Sequence, residues 1–100
     1  GINGITPINA EVPVSFNLSQ NYPNPFNPST IIEFSLPKDE FVTLKIYDIL
    51  GNEVETLVNK NHLAGNYEVN FHTINLSSGI YFYRLSTPNY SETKSMVLLK

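Results

Sequence analysis

Apolar and polar residues alternate with a period of two along most of this chain, and no stretch repeats at helical spacing. Ile32, Phe34 and Leu36 fall on one side of the alternation, with Glu33 and Ser35 on the other. Val42, Leu44 and Ile46 alternate with Thr43, Lys45 and Tyr47, and Tyr67, Val69 and Phe71 with Glu68, Asn70 and His72. Successive side chains of a strand point to opposite faces, so these are half-buried strands. Residues 54–58 read as a short strand, 80–86 as a central apolar strand buried on both faces, and 92–99 as the last strand. A first strand over residues 12–18 would be held to a sheet edge by Pro13.

Turn chemistry separates these segments. Pro37-Lys38-Asp39-Glu40 reads as a hairpin turn, and Leu50-Gly51-Asn52-Glu53 as a tight turn in which Gly51 supplies a backbone angle other residues avoid. Thr87-Pro88-Asn89-Tyr90 is another turn, residues 59–65 a loop, and 73–79 a connection with Leu76 tucked inward. In residues 20–29, Pro23, Pro25 and Pro28 fix φ and remove backbone donors, and each preceding residue is pushed toward extended backbone. A rigid non-helical loop results, anchored by Tyr22 and Phe26. About seven strands at spacings of roughly 8–14 residues predict an all-β antiparallel sandwich. Its core is expected to hold Ile32, Phe34, Leu44, Ile46, Val69, Phe71, Tyr81 and Val97. Residues 1–15 sustain no period and read as a linker from an upstream cargo protein, leaving 16–100 as the domain.

Composition narrows the function classes. A chain of 100 residues is one domain with one core. Only 15 % of residues are charged, against about 25 % in an average soluble domain, so neutral polar groups must cover the surface. A net charge of −3 disfavours nucleic acid and anionic membrane surfaces. The absence of cysteine excludes disulfides, thiolate catalysis and cysteine-ligated zinc. No apolar run approaches the roughly 20 residues of a membrane span. Residues 1–14 lack the features of a signal peptide, so an export signal would lie upstream.

Catalytic chemistry finds little support. His62 and His72 stand in no metal-ligand spacing and read as two surface histidines. Glu53 and Glu55 are one strand period apart, which places them on a common, solvated face rather than across a glycosidase cleft. Turn carboxylates and asparagine carbonyls offer at most weak calcium binding. Ser29, Ser77 and Ser78 occupy loops without a nucleophile motif or a positioned His–Asp partner. Tyr81 and Tyr83 would suit an exposed sugar-stacking platform, but tyrosines of a central core strand with hydroxyls at the rim explain them better. The reading is of no enzyme, no metal and no cofactor.

Four stretches carry a family resemblance: "LSQNYPNPFNPSTIIEFSLP" at 18–37, "VTLKIYDILGNEV" at 42–54, "HLAGNYEVNFHTINLSSGIYFYRL" at 62–85 and "KSMVLLK" at 94–100. In this order and spacing they resemble the type A C-terminal sorting domain of the type IX secretion system, which Bacteroidota and Ignavibacteria attach to secreted hydrolases and adhesins. The resemblance implies an immunoglobulin-like sandwich at the end of a larger cargo. It implies export to the periplasm, recognition by the outer-membrane translocon with its shuttle or sortase components, and in many members cleavage and surface attachment. Carried over by motif, Pro23-Asn24-Pro25 matches the family's proline loop and Gly79-Ile80-Tyr81 its Gly-x-Tyr strand entry, and Lys94 and Lys100 bracket its final strand. That strand, ending the polypeptide, is expected to lie at an edge and offer unpaired backbone to a partner. The immunoglobulin-like domain of flagellar hook-capping proteins shares the "IYDILG" strand-turn, and an accessory carbohydrate-binding module of a secreted hydrolase is the alternative function. The proline loop and lysine-terminated strand favour sorting.

Overall fold

A computed structural model describes residues 4–9 and 12–100. Among these residues there are eight strands and no helix. They are β1 (Gly4–Asn9), β2 (Asn17–Leu18), β3 (Ser29–Leu36), β4 (Glu40–Tyr47), β5 (Glu53–His62), β6 (Gly65–His72), β7 (Gly79–Thr87) and β8 (Tyr90–Leu98). Two four-stranded antiparallel sheets form, in the orders β1-β6-β3-β2 and β5-β4-β7-β8. They are called here the first and second sheet.

The period-two pattern does what it predicts. In β3, β4 and β6 each apolar row is buried and faces the opposite sheet. Leu18, Phe26, Ile32, Phe34, Leu44, Ile46, Val69, Phe71, Tyr83, Leu85, Met96 and Leu98 belong to one contiguous core. Of the eight expected core residues all but Val97 are buried. In β8 the inward row is Tyr90, Glu92, Lys94, Met96 and Leu98, so Val97 is half-buried on the outer face. The apolar run Met96–Leu99 hides its own register, because a continuous apolar run carries no alternation to read.

Other boundaries moved for physical reasons. Strand β5 extends to His62, because residues 59–62 pair with residues 40–43 of β4 despite their polar character. Being an edge strand, β5 tolerates such side chains at its solvent side. The loop expected over 59–65 shrinks to Leu63 and Ala64. Residues 37–39 do not close a hairpin, since β3 and β4 lie in different sheets. They form a crossover. Strand β7 is central as expected but buried on one face only: Tyr81, Tyr83 and Leu85 point inward while Ile80 and Arg84 are exposed. In place of a first strand over 12–18, only Asn17–Leu18 is extended and paired. A strand, β1, instead occupies part of the stretch read as linker and pairs with β6.

The turns follow their residues more closely. Gly51 adopts φ 86° in the β4–β5 turn. Its neighbour Asp48 accepts from the backbone N–H groups of Leu50 and Asn52, both at 2.9 Å. Those bonds, led by Asn52, hold the Asp48 carboxyl below its ordinary pKa. Register shifts in the β4–β5 pairing place Glu53 opposite Tyr47 but Glu55 opposite Ile46. Neighbouring residues of β4 point to opposite faces, so the bulge breaks the period that would have put both carboxylates on one face.

The altered register of β8 has a measurable consequence. Met96→Ala removes a fully buried side chain and is expected to cost about 2–5 kcal/mol, whereas Val97→Ala is expected to cost less than about 1.5 kcal/mol. Urea unfolding of both variants checks the order, and the reverse order would contradict the register.

Candidate functional site

The proline-rich segment leaves the first sheet after β2 and ends lying along the second. Tyr22 still belongs to the first sheet, exchanging backbone hydrogen bonds of 3.0 and 2.9 Å with Ile31. Four residues on, the Phe26 N–H donates to the Val97 carbonyl at 2.9 Å, and the Leu99 N–H donates to the Phe26 carbonyl at 3.0 Å. Phe26 thereby forms a parallel bridge beside β8. Its ring is buried against Phe71 with centroids 6.0 Å apart. Of the two expected anchors, Phe26 serves and Tyr22 does not: the Tyr22 side chain is 80 % exposed. Alternation explains the difference, because the bridge to Ile31 turns Tyr22 to the outer face.

Inside the loop the buried polar groups of Asn21 and Thr30 are hydrogen-bonded. The Asn21 side-chain amide donates to the Thr30 hydroxyl at 3.0 Å and to the Pro23 carbonyl at 3.3 Å, and the Thr30 hydroxyl donates to the same carbonyl at 2.8 Å. The Asn21 backbone N–H donates to the Tyr83 hydroxyl at 2.8 Å, which itself donates to the Ser19 carbonyl at 2.7 Å. Burial pushes the Tyr83 phenol up to about 12, against the opposing effect of the Asn21 N–H. Prolines cannot donate, so side chains from flanking positions satisfy the Pro23 carbonyl.

The seven residues carried over by motif form one group with an outlier. Pro23, Asn24 and Pro25 are exposed at the loop tip, and the Asn24 side-chain carbonyl accepts from the Val97 N–H at 2.9 Å. Gly79 lies opposite Leu98 and Tyr81 opposite Met96, so the start of β7 flanks the same end of β8. The Lys100 N–H donates to the Ser78 hydroxyl at 2.8 Å, and its ammonium donates to the Ile74 carbonyl at 2.9 Å. Lys94 stands apart: it lies opposite Tyr83 and pairs with Glu92 at 3.4 Å. Glu92 also accepts from the Tyr90 hydroxyl, and that bond is the main cause of its lowered pKa.

This geometry revises the expected open terminal edge. Strand β8 does lie at an edge. Over residues 95–99, however, its outward backbone is covered: Gln20 donates to the Ser95 carbonyl at 2.7 Å, Asn24 and Phe26 take both groups of Val97, and Leu99 donates to Phe26. The sugar-platform reading of Tyr81 and Tyr83 also fails, because both rings are buried in the core.

Several participants escaped sequence reading. Gln20, Asn21 and Thr30 had only their nearness to a donor-poor proline run as a signal. The Gly-x-Tyr device occurs twice: Gly65-Asn66-Tyr67 opens β6 as Gly79-Ile80-Tyr81 opens β7. Both glycines have nearly the same φ, 158° and 157°. Both tyrosine hydroxyls close on the carbonyl four residues back, Leu63 at 2.6 Å and Ser77 at 2.8 Å. Ser29, read as a loop residue, opens β3 opposite His72, with the hydroxyl 2.7 Å from the imidazole Nδ1. His62, read as a surface histidine, is half-buried: its Nε2 is buried without a hydrogen-bond partner and its ring packs edge-on to Tyr67 at 5.1 Å. Among the described residues no group of three or more His, Asp or Glu side chains could hold a metal ion.

Residues 20–99 match the family model of the secretion system C-terminal sorting domain. The chain belongs to this family. Its function is that of a C-terminal sorting signal for type IX secretion, a signal carried by secreted or cell-surface cargo. No curated protein and no solved structure matches the chain. The sorting-domain match begins at Gln20 and covers six of the seven residues carried over by motif, all but Lys100. No helix among the described residues is long and apolar enough to cross a membrane.

Two measurements probe the sorting domain's interior. Tyr83→Phe leaves the buried Asn21 N–H and the Ser19 carbonyl short of a partner and is expected to destabilise by about 1–3 kcal/mol in denaturant unfolding. For His62, burial and then Lys60 lower the pKa below 6.5. The unfolded chain takes up this proton first, so the contribution is whole above 6.5 and shrinks as pH falls from there toward the folded value. Urea midpoints between about pH 7.5 and about pH 5.5 should drop more for the parent chain than for His62→Gln.

Proposed function

We propose that the translocon and its associated shuttle or sortase components recognise the surface built by the proline loop, the end of β8 and Lys100 just beyond it, together with Lys94 farther back along the strand. The observation that supports this reading is the clamp of Asn24 and Phe26 on Val97, which makes loop and strand one surface. In this reading residues 16–100 form the sorting unit, and residues 1–15 lead from the cargo while lending β1 to the edge of its first sheet. The cargo reaches the periplasm first, crosses the outer membrane under direction of this domain, and is then released from it and attached at the surface. The domain contributes no catalysis of its own: its family is a signal rather than an enzyme, and the Ser29–His72 contact is a pair between neighbouring strands of one sheet.

The test fuses the chain to a reporter in a type IX-competent cell and measures secreted reporter alongside the melting curve of each purified variant. Replacing Lys94 and Lys100 together by Gln removes two surface charges and is expected to lower export about fivefold with little change in melting. Asn24→Ala uncaps the Val97 N–H and is expected to lower export and loosen the loop. Normal export of a folded double-Gln variant would remove the lysines from the recognition surface.

A further inference from the structure

Charge is divided unevenly between the two sheets. All six Lys and Arg residues lie in the second sheet or the connections at its ends: Lys38, Lys45, Lys60, Arg84, Lys94 and Lys100. Six acidic residues share that half, namely Asp39, Glu40, Asp48, Glu53, Glu55 and Glu92, so it is balanced. The net charge of −3 therefore resides in Glu11, which lies outside the described residues, and in Glu33 and Glu68 of the first sheet.

Glu33 and Glu68 are direct cross-strand partners on β3 and β6. Like charges in that relation repel. Neither carboxylate has an ion pair or hydrogen bond among the described residues, whereas Glu53 and Glu92 each pair with a lysine. Both line a cavity of about 230 Å³ together with Gln20, Tyr22 and Ile31. Tyr22 is 80 % exposed and Ile31 41 % exposed, and the two hydrogen bonds between their backbones fix the position of the tyrosine backbone on this face. An aromatic ring that lines one cavity with two unpaired carboxylates suits a guanidinium or ammonium group, through the ring face and charge-assisted hydrogen bonds together.

We propose that this outer face of the first sheet, at Tyr22, Ile31, Glu33 and Glu68, docks a basic, partly apolar extended segment of a partner protein. Charge complementarity selects that occupant. A second copy docked by the same face would bring four carboxylates together, and the balanced second sheet offers no excess of cations. A calcium ion needs six to eight oxygen ligands, more than two carboxylates supply. The inference stands on charge and geometry, independently of which surface the translocon reads.

The test titrates the 15N-labelled 100-residue chain with an octapeptide of alternating arginine and leucine and follows amide shifts. Shifts are expected at residues 20–22, 31–33 and 66–70, fading between about 20 mM and about 0.5 M salt. Glu33→Gln, Glu68→Gln and Tyr22→Ala should each weaken binding about two- to fivefold. Melting temperatures of the two Gln variants should equal or exceed that of the parent. Any of four results would overturn the proposal: no binding, equal binding of a peptide with glutamate in place of arginine, shifts centred on the second sheet, or the same shifts from calcium chloride alone. Self-association without peptide that maps to this face would overturn it in favour of a second copy.

Discussion

The Tyr83 hydroxyl is buried between the sheets, and both of its hydrogen bonds go to the backbone of the segment that joins β2 to β3, at Ser19 and Asn21. A phenol in that position would be costly if unpaired. Its two partners satisfy it only when the segment takes the observed path. That requirement ties the second sheet, through Tyr83, to a loop that starts in the first sheet. Asn21 and Thr30 extend the tie to the Pro23 carbonyl, which three proline-restricted residues could not satisfy among themselves.

The loop also solves the problem of an exposed sheet edge. Strand β8 would present a row of free backbone groups, a template for unwanted pairing. Asn24 and Phe26 occupy the outward groups of Val97, and Gln20 takes the carbonyl of Ser95. Sealing the edge and closing the core are one event, because Phe26 makes the bridge with its backbone while its ring fills the space beside Phe71. A sorting signal built this way presents a defined surface rather than a loose strand.

The two Gly-x-Tyr entries show how the same economy recurs. Strands β6 and β7 both receive the chain from a connection between the sheets, and both begin with a glycine in nearly the same conformation. The tyrosine that follows binds the connection's own carbonyl four residues back and so fixes the strand's entry. The polar tip of each ring reaches the rim while its body stays in the core.

Much of this was legible in advance. Strict alternation in β3, β4 and β6 identified the buried rows, since a one-residue slip would bury Glu33, Lys45 or Glu68. Gly51, the proline run and the four family stretches were likewise readable in one dimension. What could not be read was whatever a neighbour supplies. The polar end of β5 is a strand because β4 lies beside it, the crossover at 37–39 looks like a hairpin until the sheets are separated, and the register of β8 is invisible in an apolar run. The Tyr83 network depends on groups more than sixty residues apart. By itself the sequence determined the strands with one wet face and the family, because side-chain alternation and local turn chemistry act between near neighbours. Only the tertiary structure decided how the edge of β8 is closed and where the unbalanced charge collects, because hydrogen bonds and electrostatic fields act through space between segments the chain order keeps apart.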